Sequence, residues 1–321
     1  MRRMQIEVLE LPLARPFAIS RGTRTAVTVI RVTLEQNGFI GRGECTPTPR
    51  YDETPESVNA ELEALRAAME AGLSRLDLQS RLSAGSARNA LDCALWRLDA
   101  ALAKHTLWQQ CERRQPPSVI TAETLSLDSI ENMAAAAADA VSRGAILLKI
   151  KLNRDDILEK VAAIRQAAPR ATLIIDANEA WSGVDLPSLF NALASFNIAM
   201  VEQPLPAGQD QALQRFTHPI PVCADESCHI REDIAPLRNR YEMINIKLDK
   251  CGGLTEALAM VEEAQKHDMR LMVGCMLGSS LAMEAALPVA IAAEHVDLDG
   301  PIWLAADSSP FLSYAQGQIW L

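Results

Sequence analysis

Apolar and polar positions alternate at the start of the chain. Met4, Ile6 and Val8 are separated by polar residues, the period of two of a strand with one buried face. Val27 to Leu34 is a second, β-branched run, and Asn37-Gly38 supplies a hairpin turn before Phe39 and Ile40. Together these predict an antiparallel meander. The period then becomes helical. Thr54 is placed to cap a helix, Pro55 suits its first position and Gly72 its stop. Farther on, Leu91, Ala94, Leu95, Leu98 and Leu102 fall on one helical face.

From about Val119 the pattern changes again. Eight short apolar runs follow: SVITAETL, ILLKIKL, ATLIIDAN, IAMVEQP, IPVCADES, YEMINIKLD, RLMVGCM and EHVDLDG. Seven helical stretches fit between them, of which SIENMAAAAADAVSRG and LTEALAMVEEAQKHDM are clear examples. Strand–helix alternation predicts parallel strands, and eight of them favour a closed barrel over an open doubly wound sheet. No G-x-G-x-x-G follows an early strand, so an open nucleotide-binding sheet lacks its phosphate device. The expected organisation is α/β, with a mixed region over 1–117, a barrel over 118–300, and a tail over 301–321 that is too short for a domain and folds back on the first region.

Composition narrows the partners. The chain has 321 residues, half of them apolar, and a net charge of -10, which argues against a nucleic-acid or anionic-membrane surface. Its seven cysteines are an odd number with no C-x-x-C pair, the expectation being reduced thiols in a cytoplasmic protein. The opening MRRMQIEVLELPLARP has no apolar stretch of signal-peptide type, and no run reaches the ~18 residues of a membrane span. The sequence leaves the oligomeric state open, a homo-oligomer included.

Charged residues in the barrel region sit at the ends of the apolar runs. Lys151, Asp176, Glu202, Asp225 and Lys247 follow one another at intervals of 25, 26, 23 and 22 residues, each about one strand-plus-helix unit. That spacing puts them at the same end of successive strands, the end at which barrel enzymes carry their active sites. Three carboxylates gathered there would repel one another. A hard divalent cation with oxygen ligands, Mg²⁺ best of all, relieves this, and no histidine at an equivalent position speaks for zinc. An acid at a strand end is as readily a helix cap, but three in register are less easily explained that way.

Lys149 and Lys151, two apart, share a strand face, and Lys247 lies on the sixth run, roughly across the barrel from the second. Burial and neighbouring cations lower a lysine pKa from ~10.4 toward the ~7–8 at which it works as a base. A buried ion network with the acids is the plainer alternative; it balances charge but leaves the same-face lysine pair unexplained. Asp297 and Asp299 also share a face, and such a pair suits an ammonium group, with loop capping as the alternative. Near the start, ISRGTRT offers Arg21 and Arg24 in a glycine-containing loop, and Thr124 ends the first barrel run.

With these residues assembled, the chain resembles the enolase superfamily, and within it the muconate-lactonizing-enzyme subgroup. The motifs are KIK at 149–151, DAN at 176–178, EQP at 202–204, ADES at 224–227 and NIKLDKCGG at 245–253, and the resemblance spans essentially the whole chain. It implies a modified (β/α)₇β TIM-type barrel with an N-terminal α+β capping domain completed by the C-terminal tail. It implies Mg²⁺ on Asp176, Glu202 and Asp225, holding a substrate carboxylate and stabilising an enediolate. Lys151 and Lys247 would face opposite sides of the adjacent carbon, with Lys149 lowering the pKa of Lys151 and contacting the carboxylate. That is two-base 1,1-proton transfer. A D-x-D on the eighth strand is similar to that of the family's dipeptide epimerases, where it grips a substrate ammonium. The implied activity is therefore epimerisation of dipeptides such as L-Ala-D/L-Glu in murein peptide metabolism, with Arg24 on the side-chain carboxylate and Thr124 also touching the dipeptide. A cycloisomerase or an o-succinylbenzoate-synthase-like lyase would use the same metal and lysines, but neither substrate has an ammonium for Asp297 and Asp299. A Schiff-base lysine aldolase would not need three acids in register, and a non-catalytic binder would not need both bases.

Overall fold

The computed structural model describes residues 2–321. Strands β1 (Arg3–Ile19), β2 (Gly22–Gln36) and β3 (Phe39–Cys45) form an antiparallel sheet in chain order, the expected meander. β1 runs well past the early alternation, because β2 pairs with it from Arg3↔Glu35 to Ile19↔Gly22, with one irregularity between Pro12 and Phe17. One face of this sheet is covered by α1 (Pro55–Glu70), α2 (Arg75–Arg81) and α3 (Ser86–Ala103). α1 starts where expected: the Thr54 hydroxyl accepts from Ser57 N, and the Ser57 hydroxyl in turn accepts from Thr54 N.

α3 buries the expected Leu91, Ala94, Leu95 and Leu98, and also Arg88, Asn89 and Asp92, because it is wedged between the sheet and the barrel. Two glycines let β3 lie directly on its backbone. A Cβ at Gly43 would stand 2.0 Å from Ala90 O, and one at Gly41 would stand 2.1 Å from Ala94 O.

The remaining strands are β4 (Ser118–Ile120), β5 (Glu123–Leu125), β6 (Leu147–Lys151), β7 (Thr172–Asp176), β8 (Ile198–Glu202), β9 (Val222–Ala224), β10 (Met243–Ile246), β11 (Arg270–Gly274), β12 (His295–Asp297), β13 (Ser313–Ala315) and β14 (Gln318–Trp320). β5 to β12 form an eight-stranded parallel sheet in sequence order. Ala122 N donates to Val296 O at 2.7 Å and Leu298 N to Thr121 Oγ1 at 3.0 Å, which brings the eighth strand back to the first.

Two details differ from the sequence-based picture. The first apolar run is split in two: β4 leaves the barrel and pairs with β14, and only β5 joins the barrel. Two of the seven expected helices are also reduced. The β8–β9 connection carries only a 3₁₀ turn at Gln211–Arg215. The β9–β10 connection has a 3₁₀ turn and the short helix Ile234–Leu237, which contains Pro236.

Inside the barrel the period of two separates a plug from a site. Leu147, Ile174, Met200, Cys223, Met243 and Met272 pack together with Ala122 as one buried cluster. Two residues on from the first five of these are Lys149, Asp176, Glu202, Asp225 and Asn245, so the strands' own pleat raises the polar groups as a layer above the apolar plug.

The tail touches both regions. Ala305 N donates to Pro12 O at 2.9 Å, and Leu304 bridges to Leu13. The β13–β14 hairpin then pairs with β4. All seven cysteines are free, and no helix among the described residues is long and apolar enough to cross a membrane.

Cap and barrel meet through buried polar contacts. Asp249 Oδ1 accepts from Thr46 N at 3.0 Å and Asn89 Nδ2 at 2.9 Å, Arg88 donates to Cys251 O at 2.6 Å, and Glu44 Oε1 accepts from Ser279 N at 2.8 Å. Burial pushes the Asp249 carboxyl up to about 7, against the pull of its hydrogen bonds.

Two outcomes are expected. Gly43→Ala should cost about 3 kcal/mol in urea denaturation, since the new methyl meets helix backbone, which cannot swing aside. Asp249→Asn tests the pH linkage. A raised native pKa means the folded state keeps a proton that the unfolded chain releases above ~4. This group's contribution therefore falls as pH rises from ~4 to ~7 and is flat above. The Asn variant should gain on the wild type across that window by at most ~1.4 kcal/mol per pH unit, measured by urea melts at several pH values.

Candidate active site

A cavity of about 450 Å³ lies between the C-terminal ends of the barrel strands and the cap. Lys149, Lys151, Lys247, Thr124, Asp297 and Asp299 line it from the barrel, and Phe17, Arg21, Arg24 and Arg50 from the cap. All three lysines, both aspartates of the D-x-D, Thr124 and Arg24 thus face one space. Asp176, Glu202 and Asp225 do not line it. They are 0%, 0% and 1% exposed, and the space reaches them through the lysines.

Strand register sets this arrangement. Lys151 sits beside Asp176, and Asp176 beside Glu202, as direct partners on adjacent strands; Glu202 pairs with Cys223, two residues before Asp225. Lys149 Nζ stands 2.8 Å from Glu202 Oε2, 2.8 Å from Asp297 Oδ2 and 3.2 Å from Asp176 Oδ2. Lys151 Nζ is 2.6 Å from Asp176 Oδ2, and Lys247 Nζ is 2.7 Å from Asp225 Oδ2.

The electrostatics follow from these pairs. Burial alone would lower the pKa of Lys149, but Asp297, Glu202 and Asp176 together lift it well above the usual lysine value. Lys247 is likewise raised, burial being outweighed by Asp225 and Glu202. Both shifts run opposite to the effect of burial alone, because the carboxylates outnumber and contact these lysines. Burial raises the acids, yet Lys151 and Lys149 hold Asp176 below the carboxylate range, and Lys247 and Lys250 do the same for Asp225. Glu202 stays raised by burial and by Asp176.

Several residues that hold the site were not singled out from the sequence. Asn245 Nδ2 donates to Glu202 Oε1 at 2.7 Å; its position two before Lys247, on the same strand face, was the available signal. Gln203 Oε1 accepts from Asp225 N at 2.9 Å and Ser227 N at 3.2 Å, while its amide donates to Tyr241 and Ser227, which both bond Asp210. Lys250, 2% exposed, is 2.7 Å from Asp225 Oδ1 and also donates to Cys228 O and Asn245 O, so it is fixed where Lys247 is not. Residues just past β7 and β8 take left-handed backbone: Asn178 at φ 42°, Glu179 at 68° and Gln203 at 35°. Such strain persists only where the surroundings enforce it.

The acids also bear on a metal. Among the described residues, no three acid, histidine or cysteine side chains are gathered as a ready cage, since lysines hold each carboxylate. The donor set is nevertheless all oxygen. Glu202 Oε2 and Asp225 Oδ1 are buried beside an ammonium without a well-directed hydrogen bond. Oxygen ligands with unfilled lone pairs fit a hard divalent cation.

Two features frame the cavity. Arg21 pairs with Glu226 at 2.8 Å and donates to Asn178 O at 3.2 Å, and Arg50 grips Glu179 through two nitrogens at 2.7 and 2.6 Å. These contacts seat the cap loops on the barrel. Arg24 makes no ion pair among the described residues, and burial and Arg21 lower its pKa. On the opposite wall, Thr124 N donates to Asp299 Oδ2 at 2.8 Å and its hydroxyl reaches Asp297 Oδ1 at 3.5 Å, so Thr124 bridges the D-x-D.

Comparison with known proteins agrees with this layout. Residues 3–110 match the mandelate racemase/muconate lactonizing enzyme N-terminal domain, and residues 132–307 the enolase C-terminal domain-like family. An L-Ala-D/L-Glu epimerase of Escherichia coli is 48% identical over 100% of both chains. A crystal structure of an enolase family member from Agrobacterium tumefaciens with homology to dipeptide epimerases, with bound sodium and L-Ala-L-Glu, superposes with a TM-score of 0.96 at 45% identity, covering 100% of this chain and 98% of that one. A dipeptide epimerase from Cytophaga hutchinsonii complexed with Mg and D-Ala-L-Val superposes at 0.92 and 28% identity, covering 100% and 93%. The chain belongs to the mandelate racemase/muconate lactonizing enzyme family of the enolase superfamily.

Proposed function

We propose that this chain epimerises dipeptides such as L-Ala-D/L-Glu, moving a proton at the α-carbon of the C-terminal residue. The carrying observation is the arrangement of charge around one cavity: three lysines on its floor, an acid pair on one wall and an unpaired guanidinium on the cap side. A dipeptide with an ammonium at one end and carboxylates at the other matches that order of charges.

Asp297 and Asp299, held by Thr124, take the ammonium. Arg24 takes the side-chain carboxylate, for which a guanidinium offers a two-pronged bond. Lys149 faces the α-carboxylate. Lys151 and Lys247 flank the α-carbon, one removing the proton and the other returning one to the far side. Their strands support this: β6 and β10 are separated by three strands in either direction round the barrel. Each lysine now holds an acid, so each exchanges that partner for substrate during turnover.

Asp176, Glu202 and Asp225 would hold Mg²⁺, with Asn245, Gln203 and Lys250 keeping the acids in place. When bound, the ion supplies positive charge against the negative charge that builds up as the α-proton leaves. On the same reading, the dipeptides come from murein peptides and the enzyme works in the cytoplasm.

Incubation with L-Ala-L-Glu in D₂O with Mg²⁺ is the test. The expected result is deuterium at the Glu α-carbon together with the L,D isomer, followed by NMR. Absence of exchange with any L,L dipeptide would refute the proposal.

A further inference from the structure

One buried aromatic residue touches both walls of the cavity and is used by nothing described so far. Trp303 closes the 3₁₀ turn Gly300–Trp303 that follows the D-x-D, and it is 2% exposed. Its Nε1 donates to Asp299 Oδ2 at 3.2 Å. With the bond from Thr124 N, this oxygen has two donors, whereas Asp299 Oδ1 receives no hydrogen bond from the described residues. Asp299 lines the cavity, so the two donors turn a carboxylate with one unused oxygen toward it.

The other side of the indole belongs to the cap. Phe17 packs edge-on against Trp303 with ring centroids 4.7 Å apart, and the Arg15 guanidinium lies 4.3 Å from the ring centre. Phe17 is the direct cross-strand partner of Arg24 in the β1–β2 hairpin. Directly opposed residues project from the same face of a sheet, and both line the cavity. Seating Phe17 therefore sets the position of Arg24.

We propose that Trp303 is a positioning residue that serves both ends of substrate recognition through two separate contacts: its Nε1–H aims Asp299 at the ammonium, and its ring seats the hairpin that carries Arg24. This rests on the dipeptide reading above. It explains why a large, fully buried indole stands four residues after Asp299: a phenyl ring would keep the packing but leave Asp299 with one donor fewer.

The two contacts can be separated by substitution. Trp303→Phe keeps a ring for Phe17 and removes the hydrogen bond, while Phe17→Leu does the reverse. Steady-state α-proton exchange is read with L-Ala-L-Glu, its N-acetylated form, which lacks the ammonium, and L-Ala-L-Gln, which lacks the side-chain carboxylate. Trp303→Phe should raise KM for L-Ala-L-Glu about tenfold, the size of one lost hydrogen bond to a charged group, with kcat changed less than about twofold. It should shrink the preference for the free amine over the N-acetylated form by a similar factor and leave the Glu-over-Gln preference alone. Phe17→Leu should shrink the Glu-over-Gln preference about fivefold or more and leave the amine preference alone, and Phe17→Tyr should restore it. Thermal melts check that each variant is folded. If Trp303→Phe does not fold, the Phe17 pair carries the test. A folded variant that loses both preferences equally, loses neither, or loses kcat at constant KM overturns this assignment of the two contacts. No exchange by the wild type with any dipeptide would instead refute the dipeptide reading itself.

Discussion

The site depends on one buried charge cluster, the Lys149 ammonium held among Asp176, Glu202 and Asp297. An isolated ion at this depth would cost several kcal/mol, and removing one partner from a buried pair costs about 3–5 kcal/mol. The cluster is tolerable only because four strands, β6, β7, β8 and β12, deliver opposite charges to one point. β6, β7 and β8 do this through the ordinary pleat, which alternates a plug residue with a polar one along each strand. Such a cluster is weak evidence of stability. Its value lies in chemistry, because it stores cations and anions at contact distance beneath a cavity.

A second tier keeps the stored charge in place. Lys250 and Lys247 both grip Asp225, but they differ in freedom. Lys250 is tied to three backbone carbonyls besides, those of Asp225, Cys228 and Asn245, whereas Lys247 has Asp225 as its one hydrogen-bond partner among the described residues and faces the cavity. On the proposed mechanism, Asp225 thus keeps Lys250 as a counter-ion when Lys247 turns to substrate. Gln203 does for the Asp225 backbone what Asn245 does for the Glu202 carboxylate. The cap then covers the cavity. It is fastened through Asp249, Arg88 and Glu44 at its base and through Arg21 and Arg50 at its loops. The arginines of the loop contacts are 37% and 36% exposed, whereas the base contacts are buried.

Much of this was legible in the chain. The intervals between Lys151, Asp176, Glu202, Asp225 and Lys247 encode one strand-plus-helix repeat, and a repeat that regular fixes both the barrel and the common end of its strands. What escaped was non-local. The departure of β4 from the first apolar run depends on β14, about two hundred residues away. The raised pKa of Lys149 depends on Asp297, 148 residues along, a contact with no local signature. The Trp303–Phe17 contact joins two ends of the chain and leaves no local signature.

The central claim is that Lys151 and Lys247 act on opposite faces of one carbon. Its most direct test is α-proton exchange in D₂O by Lys151→Ala and Lys247→Ala, each assayed separately with L-Ala-L-Glu and L-Ala-D-Glu. Neither variant should epimerise, and each should exchange the α-proton of one isomer only, the two variants choosing opposite isomers. Full epimerisation by both variants, or loss of the same isomer in both, would contradict the claim.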